Sequence, residues 1–368
     1  MINFFRFDGE YKKNKKTILK GINKVLSSGQ VFFGAEINKL EFNLNKFLNS
    51  KYGVTVKSGT DALYLALKCA DIKVGDEVIV PAFTAIPTIS SIVNVGAIPR
   101  LVDVNLEDGL MDVSKIESRI NSKTKAIIPV HMYGLSCDMD PILKISKKYN
   151  LRVIEDCAQS FGATYKNKNT GTMGDYGCFS FYPTKVLGTY GDGGFVTTKS
   201  LKNITKLRSL RFYGVKPNSK KEIYESVIDG TNSRMDHIQA SILNFKLKKI
   251  KRDINKRNII ANYYKKNLKN INFINYDNNI KKNSYHLFVI KHEKRDLIKK
   301  YLKKNKIQTL IHYERPIHKM QNFKKYVCGQ CDCLQNSENF VKKILSLPLY
   351  PQLTLLDQKK IIRSINKF

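Results

Sequence analysis

Phe179-Ser180-Phe181-Tyr182-Pro183-Thr184-Lys185-Val186-Leu187-Gly188, followed by Gly191-Asp192-Gly193-Gly194, is the stretch on which the reading of this chain turns. An apolar, strand-like run ends at a proline. The lysine two residues on sits in a glycine-rich loop, where backbone can approach a ligand closely. Taken alone, the stretch reads equally well as an ordinary strand-to-turn exit with a surface lysine.

Outward from it, residues 52 to 196 alternate β-branched runs with helix-length stretches, the pattern of an α/β domain with a mainly parallel sheet. Candidate strands fall at 52–56, 77–81, 98–104, 126–130, 152–155, 178–181 and 194–197, which predicts seven strands in one sheet. Helical stretches at 61–69 and 140–148 lie between them. After Lys246 the composition shifts to Lys, Asn and Ile, with a long helical segment through Lys266 and a strand-like 284–291. This predicts a large domain over 1–245 and a smaller α+β C-terminal domain over 246–368. No internal repeat or low-complexity linker separates them, so the two are expected to pack closely.

The chain has 368 residues, too long for a single small binding module. Lys and Arg total 64 against 31 Asp and Glu, a formal net charge of +33. The lysines come in short runs, such as 12–16, 246–251 and 299–304, within segments that read as amphipathic surface helices. None is interleaved with stacking aromatics, so a solvated basic surface is expected and no nucleic-acid partner. The positive field still draws small anionic substrates such as a nucleotide diphosphate. Seven scattered cysteines fit a reducing compartment. No export segment is evident at the N-terminus, and the apolar stretches around 77–93 are broken by Pro, Thr and Ser. A cytoplasmic protein with no membrane partner is expected.

Two further segments separate the readings of Lys185. Val153-Ile154-Glu155-Asp156-Cys157-Ala158-Gln159-Ser160 puts acids at the carboxyl end of an apolar strand, where open α/β sheets bind ligands. An acid there can pair with a protonated heterocycle nitrogen, or simply cap a following helix. Lys57-Ser58-Gly59-Thr60-Asp61 lies between a strand and a helix, and such a helix N-terminus can hold a phosphate. It has neither Walker nor Rossmann spacing, which argues against nucleotide hydrolysis and dinucleotide binding. A phosphate cradle, an acid at a strand end and a lysine in a glycine loop are the parts of a pyridoxal-phosphate site.

With these segments in hand, the chain resembles the nucleotide-sugar aminotransferases of the DegT/StrS type, which are fold type I pyridoxal-phosphate enzymes. The resemblance runs nearly end to end. Val31-Phe32-Phe33-Gly34 and Glu41-Phe42 open it, and Ser58-Gly59-Thr60, Gly75-Asp76-Glu77-Val78, Pro129-Val130-His131-Met132-Tyr133-Gly134, the Glu155–Gln159 segment and the Lys185 loop follow in order. Asn232-Ser233-Arg234-Met235-Asp236, Gln239-Ala240, Tyr285-His286-Leu287, His312-Tyr313, Pro316-Ile317-His318 and Leu347-Pro348-Leu349-Tyr350-Pro351 complete it.

The resemblance implies a function and a site. The reaction would move an amino group, from glutamate, onto a nucleotide-linked 3- or 4-keto sugar in amino-sugar and surface-polysaccharide biosynthesis. Lys185 would hold pyridoxal 5'-phosphate as a Schiff base and shuttle the proton, and Asp156 would pair with the ring nitrogen. Gln159 would meet the ring hydroxyl oxygen, and Ser58, Gly59, Thr60 and Ser180 would cradle the phosphate. Asn232 would reach the neighbouring subunit's cofactor across a homodimer with shared sites, although its loop also reads as a cap for a helix over 235–245. No metal is expected.

Two residues depart from the family pattern. Many members carry an aromatic that stacks on the cofactor where Ala85 stands, leaving Phe83 and His131 as candidates to cover the ring. Val186 follows the lysine where Asn is common. Cys328, Cys331 and Cys333 offer three thiolates without zinc-ribbon spacing and read as ordinary thiols. Cys157 reads as packing, and His312, Tyr313 and His318 as candidates for a sugar pocket. The alternatives are a sugar dehydratase of the same fold, which Lys185 argues against because that enzyme has histidine there, and a non-catalytic regulatory or nucleic-acid-binding protein.

Overall fold

The computed structural model of the chain describes residues 1–216, 225–274, 280–327 and 333–368. Its centre is a seven-stranded sheet of β1 (Tyr52–Val56), β2 (Glu77–Pro81), β3 (Ile98–Val102), β4 (Thr124–Ile127), β5 (Arg152–Asp156), β6 (Tyr176–Ser180) and β7 (Gly194–Thr198), in the order β1-β7-β6-β5-β4-β2-β3. The neighbours from β3 through β6 pair in parallel, and β7 is antiparallel to both β1 and β6. All five residues of β2, and Val153 to Asp156 of β5, are buried, which is why these strands are apolar runs rather than alternating ones.

Each expected strand is present, with its ends moved by up to three residues. The helices between them are longer by one or two residues at their starts: Gly59–Cys69, capped by the Ser58 hydroxyl, and Met139–Lys148. The lysine run 246–251 spans the junction of two helices, His237–Leu247 and Ile250–Asn267, rather than one.

A second sheet of three strands, Asn272–Phe273, Phe288–Lys291 and Ile344–Leu347, carries the helices Arg295–Lys304 and Leu355–Asn366. The strand expected from residue 284 begins at Phe288, because Asn283 to Leu287 instead pass beside Tyr133 and Gly134. Two short strands, Thr164–Tyr165 and Lys168–Asn169, form a hairpin, and the first of them also pairs with Lys281–Lys282. At the other end Ile2 bridges Ile307, and the Phe4 N–H donates to Gln308 Oε1 at 2.9 Å. One apolar cluster runs from Ile2 and Phe4 through the central sheet to Ile361 and Ile365, so the two sheets share a core. Among the described residues, no helix is long and apolar enough to cross a membrane.

Candidate active site

At the carboxyl ends of β5 and β6 a pocket of about 360 Å³ is lined by Ser58, Gly59, Thr60, Asp156, Gln159, Ser180 and Lys185 together. Seven of the eight sequence-predicted residues therefore meet in one place. The exception is Asn232, which lies outside this pocket.

The lysine loop is held on both sides. Phe181 and Leu187 are buried in a second apolar cluster with Phe161, Phe179 and Phe195, and Val186 packs against it. The Lys185 N–H donates to the Tyr182 carbonyl at 2.9 Å, and Thr189 N–H to the Phe181 carbonyl at 2.8 Å. A Cβ on Gly188 would fall 2.5 Å from the Pro183 carbonyl oxygen, so only glycine closes this turn. Lys185 is half-buried against these side chains, and the hydration lost there disfavours its charged form. Burial lowers the Lys185 pKa to about 8, against the opposing charge of Asp156.

Adjacent acids in β5 point to opposite faces, as strand geometry requires. Glu155 turns away from the pocket and accepts N–H donors from Gly171, Met173 and Gly174 at 2.7 to 2.8 Å, with His131 Nε2 at 3.0 Å. Asp156 faces the pocket. Its Oδ1 accepts from Ala158 N–H at 3.0 Å and its Oδ2 from the Thr88 hydroxyl at 2.8 Å. Burial raises its pKa, while these two donors and the Lys185 charge pull it back. Gln159 is fixed at both ends, with Oε1 accepting from Tyr133 N–H and Nε2 donating to the Tyr313 hydroxyl, each at 2.9 Å.

The helix starting at Gly59 points its first turn at the pocket, and a helix leaves its first N–H groups without intrahelical acceptors. A Cβ on Gly59 would sit 2.5 Å from Ser180 Cβ, so glycine lets these two backbones close into a cradle. The Ser58 hydroxyl is committed to Asp61 N–H at 3.1 Å as the helix cap. The set of a bare helix N-terminus, a carboxylate, a fixed carboxamide and a partly neutral lysine matches the phosphate, ring nitrogen, ring hydroxyl and aldehyde of pyridoxal phosphate.

Neither Phe83 nor His131 lines the pocket. Phe83 is fully buried against Phe340, and His131 is fully buried with both ring nitrogens occupied, by Glu155 and by Cys137 N–H. Ala85, Ile86, Pro87 and Thr88 form one wall instead, with Tyr313 and Met320 from the C-terminal part. Of the candidate sugar-pocket residues Tyr313 lines the pocket, while His318 is buried beside Glu338 at 2.9 Å. His312 bonds Ser346 Oγ at 3.0 Å, and burial and the Lys185 charge push its pKa down to about 4.

Asn232 is exposed and accepts from Arg234 Nε at 3.0 Å. The following helix starts at His237 with Asp236 at its cap, so Asn232 is not a helix cap. Its neighbour Ser233 donates to Asp61 Oδ2 at 2.7 Å, tying this loop to the helix that starts at Gly59. Cys157 is buried in the second apolar cluster, its thiol pKa pushed up by burial. Cys333 is exposed beside Arg119; Cys328 and Cys331 lie outside the described residues.

Sequence reasoning missed Thr88. Its signal was weak: a threonine four residues after Thr84, in a segment read only for its lack of an aromatic.

A model of the DegT/DnrJ/EryC1/StrS aminotransferase family matches residues 12–366. The chain is 40% identical over 370 residues to the dTDP-3-amino-3,6-dideoxy-alpha-D-galactopyranose transaminase of Aneurinibacillus thermoaerophilus, covering 100% of this chain and 99% of that one. Its fold superposes on the crystal structure of S. venezuelae DesV in complex with a ketimine intermediate with a TM-score of 0.94, at 32% identity, covering 100% and 98% of the two chains. Bacillus subtilis NtdA, solved with bound cofactor PMP, gives a TM-score of 0.89 at 29% identity, covering 98% of this chain and 82% of that one.

Proposed function

Because this chain belongs to the DegT/DnrJ/EryC1/StrS aminotransferase family, we propose that it uses pyridoxal phosphate to transfer an amino group from glutamate to the 3-keto carbon of a nucleotide-linked deoxysugar. The observation that carries this is the meeting of Lys185, Asp156, Gln159 and the Gly59 helix start in one pocket. The 3-position is supported by the name of the 40% identical relative.

When bound, the cofactor supplies an electron sink and a temporary carrier for the amino group. Lys185, partly neutral near pH 8, accepts and returns a proton at Nζ. Asp156, whose charged form its two donors favour against burial, would hold the proton on the ring nitrogen. The Gly59 and Thr60 N–H groups and the Ser180 hydroxyl bind the phosphate, and Ser58 secures that helix end. Gln159, oriented by Tyr133 and Tyr313, meets the ring hydroxyl oxygen. Donor and acceptor use the site in turn, which gives ping-pong kinetics.

The site is shared across a homodimer, with Asn232 reaching the partner's cofactor phosphate. Beside Asn232 lies an aromatic surface unusual for a monomer: Phe32, Phe33 and Tyr213 are 42%, 45% and 40% exposed, with the Arg234 guanidinium 4.5 Å from the Phe32 ring centre. Residues 1–245 act as the cofactor-binding domain and 246–368 as the smaller one. The buried thiols of Cys69, Cys137, Cys157 and Cys178 fit a cytoplasmic location.

The test is a product assay by mass spectrometry with glutamate and a panel of nucleotide-linked 3-keto and 4-keto sugars. Amination of a 3-keto sugar is expected, and product from the 4-keto set alone would reassign the position.

A further inference from the structure

We infer that Thr88 and Thr84 are positioning residues for Asp156, their hydroxyls forming a one-way hydrogen-bonded chain that fixes the carboxylate presented to the cofactor's ring nitrogen. This rests on the assignment of Asp156 to that nitrogen made above.

Thr88 Oγ1 donates to Asp156 Oδ2 at 2.8 Å, and Thr84 Oγ1 lies 2.8 Å from Thr88 Oγ1. Both threonines are fully buried and Asp156 is 4% exposed, so water does not compete for these groups. A hydroxyl has one proton. That of Thr88 goes to the carboxylate, so Thr84 is the donor at the second link, and the chain runs Thr84 to Thr88 to Asp156. Hydrogen bonds in series polarise one another, which strengthens the link to the charged end. With Ala158 N–H on Oδ1, each carboxylate oxygen has one protein donor and keeps a lone pair, so the carboxylate plane is set from both sides.

Thr88 stands in the first turn of the helix Ile86–Asn94, whose cap position is Ala85. The pocket wall and the orientation of Asp156 are thus fixed by the same turn. Valine has the shape of threonine without the hydroxyl, so Thr88→Val removes the donor and leaves the packing.

The test titrates pyridoxal phosphate into full-length apoprotein and reads its affinity and absorption maximum. Thr88→Val should weaken binding on the order of tenfold, as expected for losing a hydrogen bond to a buried charge. Thr88→Ser should restore it to within about twofold, since the hydroxyl returns. Thr84→Val should cost a few-fold, and Thr84→Val/Thr88→Val should bind no worse than Thr88→Val alone, because Thr84 acts through Thr88.

Wild-type affinity in Thr88→Val alongside a weakened Asp156→Asn would overturn the inference. So would a Thr88→Ser as weak as Thr88→Val, or strict additivity in the double variant. Wild-type affinity and spectrum in Asp156→Asn would overturn the assignment of Asp156 itself. If Thr88→Val does not fold, Thr84→Val carries the test, and unchanged affinity there overturns the chain.

Discussion

Lys185 and Asp156 face the same pocket and act on each other through charge: the carboxylate favours the ammonium, while burial holds the lysine pKa down at about 8, well below its ordinary 10.5. The neutral amine that attacks an aldehyde is therefore a minority near neutral pH but far more populated than in an ordinary lysine.

The rate at which apoprotein captures pyridoxal phosphate covalently should rise with pH with a midpoint near 8. Asp156→Asn removes the charge that favours the ammonium, so its midpoint should move lower. Stopped-flow absorbance measures both. A midpoint near 10.5 would mean that Lys185 is not desolvated.

His312 should make the apoprotein acid-sensitive. Its pKa is held down from 6.5 to about 4 by burial and by the Lys185 charge, so the unfolded chain binds the proton first. That contribution to stability is complete above pH 6.5 and is lost as pH falls toward 4. For a half-buried group the loss is on the order of 2 kcal/mol. His286 shifts in the same direction and acts in parallel. Urea unfolding at pH 7 and pH 4.5 should show His312→Gln losing less stability on acidification than wild type, and equal losses would contradict this.

How far the sequence revealed this arrangement depends on the kind of signal each part leaves. The central strands are apolar runs punctuated by turn residues, and their positions were legible to within about three residues. The hairpin strands Thr164–Tyr165 and Lys168–Asn169 were not, because two residues carry no periodicity. Glu155 and Asp156 read alike as acids at a strand end. Only the register of β5 shows that Glu155 bonds the 171–174 turn while Asp156 enters the pocket. Thr88 escaped because its partner lies 68 residues away, and the placement of Phe83 and His131 away from the pocket followed from packing that no local pattern encodes.

Ala85 lines the pocket where a ring is common in the family, which leads to a further substitution test. Ala85→Phe should tighten pyridoxal phosphate several-fold, since an aromatic contact adds roughly 0.5–1.5 kcal/mol beyond its area. The same ring occupies room beside the substrate, so KM for the sugar should rise. Cofactor titration and steady-state kinetics read the two effects separately, and weaker cofactor binding would show that the wall at Ala85 does not face the ring.

Sharing of sites across the dimer predicts complementation. In a hybrid of Lys185→Ala and Asn232→Ala subunits, one site carries both defects and the other neither. Dissociating and reassociating an equal mixture should restore about one quarter of wild-type sites if subunits pair at random. Activity no higher than the mean of the two parents would remove Asn232 from the partner's site.

The central claim is that Lys185 carries pyridoxal phosphate for amino transfer. Borohydride reduction of the purified yellow protein followed by peptide mass spectrometry should find the phosphopyridoxyl group on Lys185. Before reduction, glutamate should bleach the colour and a nucleotide-linked keto sugar should restore it. A label on another lysine, or a chromophore that neither substrate changes, would contradict the account.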